Sequence, residues 1–196
     1  MKTRGLWIAG VLLLGACGKD ASPKSAAEPA AGPAWFTNEA RERGLVFEHK
    51  SGYAKRYLFP EIVCGGGALF DMDGDGDLDA YLVQSDGVLK PRAQRTPNQL
   101  FQNDGSGRYT DVSAGSGTQD RGYGMGVATG DADDDGDLEL YVTNLDGNTF
   151  LRNEGSGHFT DVTQSSGTAV DLWSSSAGFL DYDNDGDLDL FVANYL

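Results

Sequence analysis

Three short acidic stretches hold the residues best able to do chemistry. They run Asp71-Met72-Asp73-Gly74-Asp75-Gly76-Asp77-Leu78-Asp79, Asp131-Ala132-Asp133-Asp134-Asp135-Gly136-Asp137-Leu138-Glu139, and Asp181-Tyr182-Asp183-Asn184-Asp185-Gly186-Asp187-Leu188-Asp189. With the leading Asp as position 1, acids recur at positions 1, 3, 5, 7 and 9, and Gly holds position 6. If each loop wraps around a point, the carboxylates at 1, 3, 5 and 9 can converge. The Gly permits the sharp turn, and Asp77, Asp137 or Asp187 at position 7 can offer a backbone carbonyl. Such an all-oxygen donor set suits Ca2+, which takes about 6–8 oxygens at ~2.3–2.6 Å, better than Mg2+, which keeps its waters. Zinc is disfavoured, because neither His49 nor His158 nor any Cys has ligand spacing. About three Ca2+ sites are expected.

An EF-hand loop starts alike but requires an acid, normally Glu, at position 12. Here position 12 is Leu82, Val142 or Val192, each inside an apolar run with no helical flank. The charge supports a metal instead. The chain has 196 residues and a formal net charge of −15. The three loops carry five, six and five of its 30 acids, and such like-charge blocks oppose folding unless something neutralises them. The same acidity excludes nucleic-acid phosphate as a partner.

The elements that must hold these loops repeat. Asn98 to Val112 matches Asn148 to Val162 at an offset of 50, and the loops begin at Asp71, Asp131 and Asp181. The extra residues of the first interval fall between Tyr81 and Leu100. That stretch includes Lys90 to Pro97, a basic segment weighed as a ligand contact against an ordinary solvated loop. Within one period the pattern predicts strands at Gly126–Thr129, Leu138–Thr143, Phe150–Leu151 and His158–Val162, with turns at Asp146-Gly147 and Glu154–Gly157. Leu138, Leu140 and Val142 fall on one face. Four strands in about 50 residues is the size of one β-propeller blade, with a β-helix or sandwich as the alternative. The expected fold is all-β: a partial propeller of four-stranded antiparallel blades. Trp35–Glu39 reads as a closing strand like Tyr109–Val112, and the third unit stops after Leu188–Ala193. About two and a half blades are therefore expected, as a piece of a longer protein.

The amino-terminal end reads as an export signal. Lys2 and Arg4 precede an apolar run, Gly5 to Ala16, too short for a ~20-residue membrane span. It ends in Leu14-Gly15-Ala16-Cys17, which resembles the bacterial lipoprotein box. That resemblance implies cleavage after residue 16, lipidation of Cys17 and, with Gly18 following, the outer membrane or cell surface. Residues 17–34 read as a tether and 35–196 as the repeats. Cys64 is then the one remaining thiol, so no intramolecular disulfide is expected. It reads as a small buried hydrophobe rather than a reactive thiol.

The loops, with Gly126-Val127-Ala128-Thr129-Gly130-Asp131 before one and Leu188-Asp189-Leu190-Phe191-Val192 in another, resemble FG-GAP/VCBS repeats of the integrin α-propeller type. Cys64 to Asp71, with Phe36-Thr37-Asn38-Glu39 upstream, resembles the ASPIC/UnbV, or cartilage-acidic-protein-like, branch. The resemblance implies Ca2+ bound by the side chains at positions 1, 3, 5 and 9 and the carbonyl at 7. Glu139, in place of Asp, is the one departure at position 9. No HExxH, GxSxG, CxxCH or P-loop pattern occurs, so no enzyme is expected in these residues. The expected role is a surface binding or adhesion module for a protein or glycan. A structural scaffold and the non-catalytic part of a longer enzyme remain open.

Overall fold

A computed structural model describes residues 36–195. The signal, Cys17 and the tether lie outside the described residues. The chain divides into two units, Met1–Thr37 and Asn38–Leu196, and every described strand belongs to the second.

The second unit is built of short antiparallel strands. β1 (Gly66–Phe70), β2 (Asp79–Val83), β3 (Gln99–Asn103) and β4 (Tyr109–Asp111) pair in that order as one four-stranded sheet. β5 (Gly124–Gly130), β6 (Glu139–Asn144), β7 (Thr149–Asn153) and β8 (Phe159–Asp161) form a second sheet in the same order. β9 (Ser174–Leu180) and β10 (Asp189–Asn194) form a two-stranded third. Each sheet is a simple up-and-down meander. The first strand of each sheet packs against the first strand of the next, β1 on β5 and β5 on β9. That is the arrangement of propeller blades around an axis: among the described residues, all-β, two full blades and two strands of a third. Among the described residues the helical pieces are the single turns Phe59–Ile62 and Arg92–Gln94, plus a tight turn at Ser113–Ser116.

The innermost strands approach closely because they carry glycine. A Cβ on Gly66 of β1 would lie 2.8 Å from the Cα of Gly126 of β5. No side chain fits there without moving one backbone away from the other.

The core lies between blades. Tyr81, Val83 and Leu100 of the first blade face Leu140, Val142, Leu151 and Phe159 of the second, with Phe70 and Met72 closing one end. The alternation in β6 predicted one apolar face. All six residues of β6 are buried, because a middle blade is covered on both sides. Tyr141 and Phe150 point the other way, and Phe150 meets Phe179 of β9. Burying each such side chain contributes roughly 1.5–3 kcal/mol.

A polar bolt repeats with the blades. The hydroxyl of Tyr81 donates to the carbonyl of Thr118 at 2.9 Å and accepts from the Asn98 amide at 2.9 Å. Tyr141 donates to Thr168 at 2.9 Å and accepts from Asn148 at 3.2 Å. In each case the Asn carboxamide oxygen also accepts from a strand-end N–H, that of Gln84 or Asn144. Each hydroxyl thereby satisfies one carbonyl of the loop leading to the next blade.

Two expectations are corrected. Residues 36–39 form no strand, and Phe36 is exposed. Asn38 accepts from the Ala40 N–H and Arg43 N–H donates to Glu39, so the chain winds into turns and meets β4 through one bond, Tyr109 N–H to Arg43. Nor is the Lys90–Pro97 stretch solvated throughout: Pro91, Ala93 and Gln94 are exposed, but its arginines are not free. Arg92 pairs with Asp120 at 2.6 Å, and buried Arg95 with Asp146 at 2.5 Å, tying the first blade to the β6–β7 turn of the second. Its two arginines are committed to this brace.

Candidate metal loops

Each acidic stretch is the turn between the first and second strands of a blade: 71–78 joins β1 to β2, 131–138 joins β5 to β6, and 181–188 joins β9 to β10. The antiparallel register sets the geometry. Phe70 pairs with Asp79, Gly130 with Glu139 and Leu180 with Asp189, so position 9 sits directly across from the residue before position 1. Position 12 lies inside the second strand, as the rejection of an EF-hand requires. At position 6, Gly76, Gly136 and Gly186 have φ of 89°, 95° and 103°, a region other residues rarely enter.

The loops bring together positions 1, 3 and 9. Asp71, Asp73 and Asp79 place one oxygen each within 4.8 Å of one another, as do Asp131, Asp133 and Glu139, and Asp181, Asp183 and Asp189. The expected residues at positions 5 and 7 lie outside these triplets. Asp75, Asp135 and Asp185 at position 5 accept from the N–H of Asp77, Asp137 and Asp187 at 2.9, 2.9 and 3.0 Å. Those bonds shape the turn.

Backbone N–H groups hold the carboxylates. Asp71 accepts from Gly74, Asp75 and Gly76, and Asp131 from Asp135 and Gly136. In the first two loops position 9 is fixed from two sides. Asp79 accepts from Met72 N–H at 2.9 Å and from Asn103 N–H at 2.7 Å. Glu139 accepts from Ala132 at 2.6 Å and Asn153 at 3.4 Å, and Asp189 accepts from Tyr182 at 2.9 Å. The longer Glu139 thus keeps the same anchors. Residue-type reasoning missed the part played by Asn103 and Asn153. Their 50-residue spacing was visible, but their link to a loop far back in the sequence is made only by sheet pairing. Their side-chain amides also donate to the Leu78 and Leu138 carbonyls, at 3.1 and 3.3 Å.

The electrostatics leave a deficit of positive charge. Burial pushes the Asp79 carboxyl above its ordinary range against the pull of its two N–H partners, with Asp73 and Asp75 adding to the rise. Burial likewise pushes Glu139 up to about 7. Asp133 is raised by burial and by Asp135, and Asp187 by Asp185 and by Asp134 of the neighbouring loop. One oxygen of Asp73 is buried without any hydrogen-bond partner. An unpaired buried carboxylate oxygen is costly, and a hard cation is the partner that would satisfy it. The donor set therefore fits a divalent, oxygen-preferring ion.

The model of the FG-GAP-like repeat family matches residues 71–142 and again 131–192. The chain belongs to the FG-GAP-like repeat family. Each FG-GAP match starts at position 1 of one loop and ends at position 12 of the next, so each match runs from the loop of one blade into the second strand of the following blade. Comparison with curated proteins gives no match. Cys64 does not bear out as a fully buried hydrophobe: it is half-buried beside the innermost strands, its thiol 3.8 Å from the Glu61 carbonyl. Among the described residues no helix is long and apolar enough to cross a membrane.

Proposed function

We propose that this chain is a calcium-stabilised, non-catalytic binding module of the cell envelope, held at the outer membrane or cell surface by a lipid on Cys17. The observation that carries the metal reading is the convergence of positions 1, 3 and 9 in all three loops. Each ion would be held by those carboxylates, with positions 5 and 7 close enough in sequence to complete the shell. Its charge offsets the repulsion within the loop and pins the first two strands of each blade.

FG-GAP membership supports a surface-binding role. The Cys64–Asp71 run supports the ASPIC/UnbV branch, and Leu14–Cys17 supports lipidation. The ligand class is a protein or glycan on a propeller face.

Calorimetric titration of the full chain with Ca2+ tests the metal reading. About three ions should bind, and Asp73→Asn, Asp133→Asn and Asp183→Asn should each remove one. Failure of the wild-type chain to take up Ca2+ would end it. Fatty-acid labelling that persists in Cys17→Ser would end the anchor. A partner captured from envelope extracts with Ca2+ but not with chelator would support adhesion, and capture indifferent to chelator would favour a scaffold.

A further inference from the structure

Gln102 and Arg152 hold the same place in successive blades. Gln102 lies on β3 opposite Thr110, and Arg152 lies on β7 opposite Thr160. Their relations to the acidic loops differ. The Gln102 carboxamide donates to the position-3 carboxylate, Asp73, at 2.7 Å. Arg152 instead lines a cavity of about 290 Å³ together with Asp133 and Glu139, positions 3 and 9 of the second loop. Its guanidinium is steadied by Glu154 at 2.6 and 3.0 Å. The second loop also carries one more acid than the first, Asp134 where the first has Gly74.

We propose that Arg152 is a built-in counter-charge that grades the cation sites, making the second loop less dependent on a bound ion and lowering its affinity below what its carboxylates alone would give. This rests on the cation reading above. A divalent ion entering the second loop meets a resident arginine, itself paired with Glu154, across the cavity it shares with positions 3 and 9, whereas an ion entering the first meets a neutral amide on its position-3 carboxylate. The effect is Coulombic at short range near the surface, on the order of fivefold in affinity at low salt. It fades as added salt shortens the screening length. In the ion-free protein the same charge offsets repulsion between Asp133 and Glu139, with which it shares the cavity, as the neutral Gln102 cannot do for the first loop.

The experiment titrates Ca2+ into the full chain at low salt and follows thermal unfolding of the ion-free protein. Arg152→Gln should tighten one site about fivefold and lower the ion-free melting temperature, with the affinity gain shrinking in high salt. Arg152→Lys keeps the charge and should behave as wild type. Gln102→Arg should weaken a different site. If wild type binds Ca2+ but Arg152→Gln changes neither affinity nor ion-free stability, or weakens binding, the proposal is overturned while the cation reading stands. If wild type takes up no Ca2+, both fall together.

Discussion

The guanidinium of Arg95 donates to the carboxylate of Asp146 at 2.5 Å, with the arginine side chain only 5% exposed. The pair joins an insertion in the first blade to a turn in the second. Arg95 also donates to the Lys90 carbonyl and lies over the Tyr123 ring. Removing it strands a carboxylate that also holds the Tyr123 N–H. Arg95→Met should cost roughly 1.5–3 kcal/mol, the range for hydrogen bonds to charged groups. Urea unfolding of Arg95→Met, Asp146→Asn and the double variant should show strong coupling. Additive losses would mean the two residues act separately.

The tyrosine bolts make a second prediction. Tyr81→Phe leaves the Thr118 carbonyl and the Asn98 amide without their partner in a fully buried site. A loss of about 1–3 kcal/mol is expected, the cost of unsatisfied buried groups. Tyr141→Phe should cost a similar amount. A neutral effect of both changes on denaturant midpoints would show that water replaces the hydroxyl.

Close approach of the innermost strands makes a third. Gly66→Ala puts a methyl 2.8 Å from the Gly126 Cα, against backbone rather than a movable side chain. Overpacking of this kind costs about 1–3 kcal/mol. Gly74→Ala, with nothing within 4 Å, tests the converse, since only its positive φ of 75° opposes the change. A smaller loss at Gly74 than at Gly66 in thermal melts is expected.

Glu139 supplies the pH prediction. Burial raises its carboxyl to about 7, against an ordinary value near 4.3. The folded, ion-free protein therefore binds a proton that the unfolded chain has released. The associated stability is present in full below about pH 4 and is lost as the pH rises through about 7. Asp79 shifts in the same direction for the same reason. Protein stripped of divalent ions should melt at a lower temperature at pH 8 than at pH 5.5, and Glu139→Gln should flatten that slope. Saturating Ca2+ should also remove it, because the ion replaces the proton at the ionised carboxylate.

Much of the site could be read directly from residue types. Alternating acids with Gly at position 6, repeated three times, located the loops, and the apolar residue at position 12 excluded an EF-hand. The periods of 50 and 60 residues located the blades, and strand alternation located most of β5 to β8 and β10. These features are local: turn chemistry, side-chain alternation and repetition are all written within a few residues of one another.

What tertiary structure decided depends on partners distant in sequence. Leu140 and Tyr141 face opposite sides of β6, yet both are buried, because blades flank the sheet on both faces. Asn103 reaches back to Asp79 only because β3 pairs with β2. The basic Lys90–Pro97 stretch looked like a free surface until Asp120 and Asp146 were brought beside Arg92 and Arg95. Which carboxylate oxygens meet, and which turn to a backbone N–H, is set by register and loop curvature. The residues alone determined that an acidic turn recurs between strands; only the packing of one sheet on the next determined which charges are shared, buried or left unpaired.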